Sequence, residues 1–454
     1  MRLVSVVGLV ACSGSAKTVG EVKPPGDTDP DGPNRARIAA QVQPLIDAEL
    51  ASGIVVGVID AGKPEIYGFG KGPGGAPPNS KTLFELGSVT SAYTGLLLAD
   101  AVQRREVSLD TPVAELLPVG ITAPTRDKLV ITLRHLALHS SGLPPKPPSW
   151  REGDNPYASY RENQLFQDLL RTQLVAPPGE RILYSEYGAG LLANALGRKI
   201  GGGYKQAVAA RVLGPLKLHD TFFEVPATAK ARLAPGTDED LQPAKPWTYD
   251  ALAGAGGLIS SAHDQLALIE AELDAAAGSK GPLRPAMHLT QESQLERGGD
   301  NEGIGWQIDS AGRYWVNGST GGYHAFLGFD PKNRRAVVIL ASTKSSLVDA
   351  IATNIYHVLA NEDVKPPKFP DAATLSTFAG SYDFQGMKLA ITVSGKRLYV
   401  EGPGAPKIRM LPISDHEFWI ESLQSVCVFE REGDKIKRAI FIVGDKQLSA
   451  PKLD

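Results

Sequence analysis

Strand-forming runs at both ends of residues 35–360 enclose a long stretch that is rich in helix signals. Near the start, a helical apolar pattern beginning at Arg35 leads into two β-type runs, Ile54 to Ile59 and Glu65 to Gly70. Near the end, three β-type runs precede a helix: Tyr314 to Val316, Tyr323 to Asp330, Arg335 to Ala341 and then Leu347 to Leu359. This pattern predicts one α+β unit that folds back on itself, so that its two ends meet in a single sheet.

A second unit is predicted after residue 371. Residues 361–371 contain three prolines and few apolar side chains, which is typical of a linker. Residues 372–454 contain about eight short β-type runs, separated by turn signals such as Ser394-Gly395 and Glu432-Gly433-Asp434. A small antiparallel barrel or sandwich is therefore expected at the C-terminus.

Composition excludes several classes of protein. The 454 residues include 47 Lys and Arg against 50 Asp and Glu, a formal charge of -3, so no strong positive field favours nucleic acid and no nucleic-acid partner is expected. The two cysteines, Cys12 and Cys427, exclude a disulfide framework, and Cys427 fits a buried strand position. The eight histidines show no ligand spacing, so neither a metal site nor a cofactor is expected.

The N-terminus has features of an export signal. Arg2 is followed by an apolar run from Leu3 to Ala11 that is too short to span a bilayer. The sequence Leu9-Val10-Ala11-Cys12 resembles a bacterial lipobox, which implies a signal peptide over residues 1–11 and lipidation of Cys12. The alternative is a chance apolar run after a misassigned start. Residues 12–34 are polar and rich in Gly and Pro, so a disordered tether is predicted there.

Six segments carry a family resemblance. In chain order they are FELGSVTSAYTGLLLADAVQRREVSLDTPVAELLP, ITLRHLALHSSGL, PGERILYSEYGAGLLANAL, GAGGLISSAHDQLALI, GIGWQI and GSTGGYHAFLGFDPKNRRAVVIL. Together they resemble the serine β-lactamase-like family, which includes class C β-lactamases, DD-carboxypeptidases, D-aminopeptidases and related esterases. The resemblance implies an α+β fold over residues 35–360, with an antiparallel sheet, flanking helices and a helical subdomain. It also implies that residues 372–454 form the small β-barrel that many members append.

The resemblance further implies acyl transfer from an activated serine. The family signature is Ser-x-x-Lys, Tyr-x-Asn or Ser-x-Asn, and Lys/His-Thr/Ser-Gly. Ser88 matches the nucleophile and Tyr184 the tyrosine. Three other positions differ: Ser91 replaces the lysine, Glu186 replaces the asparagine, and Ser319 replaces the cation before Thr320-Gly321. The backbone N–H groups of Ser88 and Gly322 are predicted to form the oxyanion hole.

These substitutions affect proton handling. A serine at position 91 cannot act as a base, and general-base assistance is worth about 10²–10⁴-fold in rate. Glu186 is an alternative base, acting directly or through water. His324, on the predicted strand beside the site, is expected to touch substrate, to act as a base, or to be an ordinary strand-edge residue. Ser91, Ser319, Thr320 and Gly321 are predicted to contact substrate together with it. His139 is expected to be structural rather than catalytic.

Two functions therefore remain open. The first is a membrane-tethered serine hydrolase of the bacterial cell envelope, facing the periplasm or exterior, with impaired acylation of Ser88. Its substrate would be a small molecule or peptide: a peptidoglycan-like peptide, a β-lactam or a small ester. The second is a catalytically silent protein that binds cell-wall peptides in the same cleft. Fold alone does not separate the two.

Overall fold

The computed structural model describes residues 32–297 and 300–453, so the predicted signal peptide, Cys12 and nearly all of the tether lie outside the described residues. Ten strands belong to the first unit: β1 (Gly53–Asp60), β2 (Lys63–Gly70), β3 (Leu83–Glu85), β4 (Ile259–Ser261), β5 (Leu295–Arg297), β6 (Asp300–Glu302), β7 (Gln307–Ile308), β8 (Tyr314–Ser319), β9 (His324–Asp330) and β10 (Arg335–Ala341). Eight of these form one antiparallel sheet in the order β2-β1-β10-β9-β8-β7-β6-β5, and β3 pairs with β4 separately.

The two ends of the first unit meet in this sheet, as predicted. Strand β1 pairs antiparallel with β10 from Ile54 opposite Ala341 to Ile59 opposite Ala336. Both strands are almost wholly buried and rich in Val and Ile, because helices cover both faces of the sheet. The sheet therefore joins residues nearly 300 positions apart in sequence, and it fixes the frame on which the cleft is built.

Among the described residues of the first unit, ten helices surround or extend from this sheet. They are α1 (Arg35–Asp47), α2 (Thr90–Gln103), α3 (Leu133–Ala137), α4 (Glu162–Leu169), α5 (Glu186–Ile200), α6 (Tyr204–Val208), α7 (Ala253–Gly256), α8 (Ala262–Ala276), α9 (Arg284–Gln291) and α10 (Leu347–Leu359). A π-turn over Ala209–Leu213 extends α6, and 3₁₀ turns lie at Pro73–Gly75, Gly87–Val89, Val113–Leu116 and Ala227–Arg232.

Two apolar cores hold these layers together. One lies between the sheet and helices α1 and α10, where Val42, Phe326 and Ile355 are buried. The larger core lies on the other face and extends into the helical subdomain, where Tyr93 and Leu191 are fully buried. Helix α2 runs through this second core with nearly every residue buried, which explains why its sequence is apolar on all sides.

The C-terminal unit is a nearly closed antiparallel barrel, which confirms the prediction. After a short helix, α11 (Ala372–Phe378), eight strands follow: β11 (Gly380–Phe384), β12 (Met387–Ser394), β13 (Arg397–Glu401), β14 (Ile408–Pro412), β15 (Glu417–Ile420), β16 (Ser425–Glu432), β17 (Lys435–Val443) and β18 (Lys446–Pro451). A 3₁₀ turn covers Glu421–Leu423 between β15 and β16. The eight strands, β11 to β18, pair with one another in chain order. The first and last strands meet where Leu453 N–H donates to Ser381 O at 2.8 Å. Cys427 is buried in this barrel, and burial raises the pKa of its thiol.

Asp240 is one of the side chains through which the first unit holds the barrel. Asp240 Oδ1 accepts hydrogen bonds from Tyr399 Oη at 2.8 Å and Arg409 Nη1 at 3.1 Å. Asp240 lies in a loop that reaches the turn after β8, because Thr237 N–H donates to Gly322 O at 3.2 Å. The barrel thus braces the loop that supports one end of β8.

Candidate active site

Ser88 lies in the 3₁₀ turn that leads into α2. The turn packs directly on β8: Gly87 has φ +52°, and a Cβ on it would lie 2.6 Å from Ser319 O. Only glycine combines this backbone conformation with so close an approach. Ser88 is therefore held at the start of a buried helix and against a strand, as the sequence predicted.

Tyr184 is the hydrogen-bond partner of Ser88. Its Oη donates to Ser88 Oγ at 2.5 Å. Tyr184 is placed by Ser185, the residue that caps α5, whose Oγ accepts from Gly188 N–H at 2.9 Å. Although 43% of Tyr184 is exposed, desolvation at its hydroxyl raises its pKa, and the charge of Glu186 raises it further. Tyr184 is thus a phenol at neutral pH and not a ready base.

Ser91 occupies the position of the motif lysine and provides no base. Its Oγ donates to Ser88 O at 2.8 Å, one helical turn back, and it lines the cleft. This is the hydrogen bond that a helical serine forms to a carbonyl of the preceding turn. The structure therefore places at position 91 a hydroxyl that is engaged with the backbone and cannot take a proton from Ser88.

Glu186 forms an ion pair with Lys146. Lys146 Nζ lies 2.6 Å from Glu186 Oε2 and also donates to Tyr157 Oη. The ammonium group lies 4.4 Å from the ring centroid of Trp150 and 4.6 Å from that of Tyr157, so aromatic faces stabilise its charge. Sequence reasoning missed Lys146, because it lies 40 positions from Glu186 in a Pro-rich loop and belongs to none of the predicted motifs.

The segment of β8 that lies beside Ser88 is three residues earlier in the sequence than the segment Ser319-Thr320-Gly321 that the motif predicted. A Cβ on Gly318 would collide with the backbone of Leu86 and Ser88, whereas one on Gly322 would meet Gly236 and Ala244. Gly318 is therefore the glycine that lies against the nucleophile, and the third motif reads Val316-Asn317-Gly318. The apolar Val316 then stands where the family has a cation.

The second oxyanion donor is correspondingly Ser319 and not Gly322. Thr320 N–H donates to Tyr323 O at 3.0 Å, so Thr320 and Tyr323 form a hydrogen-bonded pair in the β8–β9 hairpin. Because hydrogen-bonded and non-hydrogen-bonded pairs alternate, the N–H of Ser319 points away from β9. A Cβ on Gly87 would lie 2.8 Å from Ser319 N, so that amide lies on the Ser88 side of the strand.

The three residues after Ser319 lie apart from the cleft lining. Thr320 is buried, and its Oγ1 has no hydrogen-bond partner among the described residues. A Cβ on Gly321 would contact the Trp247 indole, and Thr320 and Gly321 line a separate depression beside Asp238, Asp240 and Lys344. Of the predicted substrate-binding residues, Ser91, Ser319 and His324 therefore line the cleft, while Thr320 and Gly321 do not.

His324 is buried at the start of β9 between two polar partners. Its Nδ1 lies 2.6 Å from Ser319 Oγ and its Nε2 lies 2.8 Å from Asp349 Oδ1. Asp349 was not singled out from the sequence, because it lies in the first turn of α10 with no motif around it.

His139 has a structural role, as expected. Its Nδ1 accepts the N–H of Ser185 at 3.2 Å, and its ring packs 4.5 Å from that of Tyr184. Burial lowers the pKa of His139 to about 4, so the ring is neutral at pH 7 and carries its hydrogen on Nε2. With Nδ1 occupied, neither nitrogen is free to act as a base, and the ring instead fixes Tyr184 and the start of α5.

These residues surround a cleft of about 500 Å³. Ser88, Tyr184 and Ser319 line it together with Trp306, whose ring packs edge-on against Phe329. Among the described lining residues, none is Lys or Arg, and Glu302 is the one carboxylate.

Comparison with known proteins identifies the scaffold. The family model described as Beta-lactamase matches residues 38–362. This chain belongs to the β-lactamase family. It is 29% identical over 343 residues to a β-lactamase of Escherichia coli K12, covering 66% of this chain and 86% of that protein. It is 26% identical over 348 residues to a β-lactamase of Pseudomonas fluorescens, covering 68% and 93%.

A third relative has a different activity in its name. The D-alanyl-D-alanine-carboxypeptidase/endopeptidase AmpH of Escherichia coli K12 is 25% identical over 315 residues, covering 65% of this chain and 80% of that protein. The β-lactamase-family match ends at residue 362, before α11 and the barrel. None of the helices among residues 32–297 and 300–453 is both long and apolar enough to cross a bilayer.

Proposed function

We propose that this β-lactamase-family protein is a serine hydrolase that transfers acyl groups slowly through Ser88, with small neutral carboxylic esters as its best substrates. The observation that carries the proposal is the 2.5 Å hydrogen bond from Tyr184 Oη to Ser88 Oγ. It is supported by the position of the Ser88 and Ser319 amides on the same side of β8, where they can stabilise an oxyanion.

The cleft lining favours a neutral substrate. β-Lactams and D-alanyl peptides carry a carboxylate close to the bond that is cleaved, and a cation normally binds such a group. The described lining residues include no Lys or Arg, and Val316 occupies the position of the motif cation. An uncharged ester needs no such cation.

The missing base predicts a slow reaction. Ser91 offers a hydroxyl, Tyr184 remains protonated, and Lys146 is held by Glu186 rather than by Ser88. Loss of general-base help costs about 10²–10⁴-fold, whereas the oxyanion donors and binding remain. An activated ester with a good leaving group is therefore the substrate on which turnover is measurable.

The test compares a p-nitrophenyl ester with a chromogenic cephalosporin. We expect ester hydrolysis that falls in Ser88→Ala, is unchanged in the matched surface control Ser310→Ala, and is at least tenfold faster than hydrolysis of the cephalosporin. Covalent labelling of Ser88 by a fluorophosphonate, located by peptide mass spectrometry, reports the same nucleophile. Equal rates for wild type and Ser88→Ala, with no label on Ser88, would exclude the proposal.

The same geometry also favours a second function, a silent binding protein. The Lys146–Glu186 ion pair and the protonated phenol of Tyr184 leave no free base beside Ser88 among the described residues, and such a site can hold the uncharged part of a cell-wall peptide without cleaving it. Calorimetric titration with a C-terminally amidated cell-wall peptide distinguishes the two. Micromolar binding without labelling of Ser88 supports the silent protein.

The position in the cell is a separate proposal. We place the chain at the bacterial cell envelope, anchored by lipid on Cys12 and facing the periplasm or exterior, on the lipobox-like sequence alone. Cell fractionation tests this: wild type should sediment with membranes and Cys12→Ser should not.

A further inference from the structure

A second serine in the cleft, Ser319, is hydrogen-bonded to a histidine that can act as its base, whereas Ser88 has no such partner among the described residues. Ser319 Oγ lies 2.6 Å from His324 Nδ1, and His324 Nε2 lies 2.8 Å from Asp349 Oδ1. Asp349 is itself held, because Asn317 Nδ2 donates to its other oxygen at 2.7 Å. The four side chains form one continuous hydrogen-bonded chain, which ends at a hydroxyl in the cleft.

The direction of these hydrogen bonds follows from the chemistry of the groups. A carboxylate only accepts, so the Nε2–H of His324 donates to Asp349. In the neutral imidazole Nδ1 then carries the lone pair, and it accepts the hydroxyl hydrogen of Ser319. This is the order of groups in a nucleophile, a base and a carboxylate that orients the base.

The fold explains why these residues meet. Ser319 and His324 are opposite each other in the β8–β9 hairpin, and they form a non-hydrogen-bonded pair, in which side chains approach most closely. Asn317 lies two residues before Ser319 and thus on the same face of the strand. Helix α10 covers that face and presents Asp349 from its first turn.

Burial separates the roles of the three groups. His324 and Asp349 have 5% and 30% of their side chains exposed, whereas Ser319 is exposed. A base that is shielded from water and a nucleophile that faces the cleft are what acyl transfer requires. Ser319, His324 and Asn317 all line the same cleft as Ser88.

We propose that Ser319, His324 and Asp349 form a second nucleophilic triad, in the same cleft as Ser88, that hydrolyses small neutral esters. This inference goes beyond the proposed function, because the triad operates without Ser88, Tyr184 or a motif lysine.

The reaction balances with these groups alone. Ser319 Oγ forms a bond to the ester carbonyl carbon while its proton moves to His324 Nδ1, and Asp349 stabilises the resulting imidazolium. The Ser319 N–H, which points away from β9, is the available donor for the oxyanion. The tetrahedral intermediate then expels the alcohol, which takes the proton from His324. Water repeats these steps on the acyl-enzyme, releasing the carboxylic acid and restoring Ser319.

The experiment uses the full chain and four variants: Ser88→Ala, Ser319→Ala, the double variant, and the surface control Ser310→Ala. Each is treated with a fluorophosphonate, and the labelled peptide is located by mass spectrometry. Hydrolysis of p-nitrophenyl acetate is measured in parallel, and thermal unfolding shows that each variant is folded. We expect Ser88→Ala to keep a label on Ser319 and measurable turnover, and the double variant to lose both.

Two further variants separate catalysis from structural support. Asp349→Asn keeps a hydrogen bond to Nε2 but makes the amide the donor, which moves the ring hydrogen to Nδ1 and removes the base. We expect it to lower the acylation rate of Ser319 by about 10²-fold or more while the Tm changes little. His324→Gln should behave in the same way.

The outcomes distinguish this inference from the function proposed for Ser88. Label on Ser319 alone supports the triad and excludes Ser88 as the nucleophile. Label on Ser88 alone overturns the triad and leaves the proposed function intact. Label on both supports both. If the Ser88→Ala variant is folded and Ser319 is not labelled, the triad is overturned.

Discussion

The ammonium group of Lys146 lies 2.6 Å from the carboxylate of Glu186, two residues after the tyrosine that binds Ser88. The pair places one positive and one negative group beside the cleft. Glu186 is thereby engaged with a cation rather than with the nucleophile. Its negative charge nevertheless raises the pKa of the Tyr184 phenol. This single contact bears on both hypotheses about proton transfer at Ser88.

Glu186→Gln should therefore increase acylation of Ser88, not decrease it. Removing the negative charge lowers the pKa of Tyr184, so a larger fraction becomes phenolate, and it also releases Lys146. We expect a rise of about two- to tenfold in the burst rate with a p-nitrophenyl ester, since one pKa unit corresponds to a factor of ten.

The matched comparison for this prediction is Lys146→Met, which removes the cation but keeps the length of the side chain. It should lower the rate or leave it unchanged. A fall of 10²-fold or more in Glu186→Gln would contradict the expectation and identify Glu186 as the general base.

Ser91→Lys should restore the missing base. Position 91 is one helical turn after Ser88 and lines the cleft, so an ammonium or amine there reaches both Ser88 and Tyr184. We expect acylation of Ser88 to increase by about 10²-fold or more. The measurement is the fluorophosphonate labelling rate of the Ser88 peptide. Ser91→Met provides the control for side-chain length, and an equal gain in that variant would show that proton transfer was not what was lost.

The frame of this molecule could be predicted from sequence because it depends on local periodicity. The hairpin around Asp60, the helix from Leu347 to Leu359 and the C-terminal strands all show their own apolar patterns. Ser88 and Tyr184 could be predicted because each lies in a long matching segment. These features require no knowledge of which distant residue meets which.

The features that were missed depend on distant contacts or on register. Lys146 meets Glu186, and Asp349 meets His324, through the tertiary fold and without any local pattern. The oxyanion partner was predicted at Gly322, whereas the structure places Ser319 beside Ser88, because Gly318 and Gly321 both fit the motif glycine in sequence. Only backbone packing against Gly87 separates these two alternatives.

Asp240→Ala should loosen the barrel from the first unit. Tyr399 and Arg409 would lose their common acceptor, and Arg409 is a buried cation whose pKa burial already lowers. Leaving a buried donor without a partner costs about 1–3 kcal/mol. We expect the first thermal transition to move to lower temperature by calorimetry. Asp445→Ala, in the exposed turn between β17 and β18, is the control. An equal shift in both variants would show that the Asp240 contact does not stabilise the attachment of the barrel.

Stability should fall as the pH rises from about 5 to 8, because Glu272 is buried in α8. Burial raises the pKa of Glu272 to about 8 from an ordinary value near 4.5, although Gln291 Nε2 donates to the carboxyl at 2.6 Å. The folded state therefore keeps a proton that the unfolded state loses. Its contribution is fully present below pH 4.5 and is lost as the pH rises through about 8.

The measurement is the free energy of unfolding in urea at pH 5 and pH 8, for wild type and Glu272→Gln. The amide retains an acceptor for Gln291 but does not titrate, so the variant should lose less stability across this range than wild type, by more than about 1 kcal/mol. The difference between the two proteins is the useful quantity, because Glu85, whose pKa burial raises to about 7, contributes in the same direction to both. Parallel pH profiles for the two proteins would show that Glu272 does not titrate between pH 5 and 8 in the folded state.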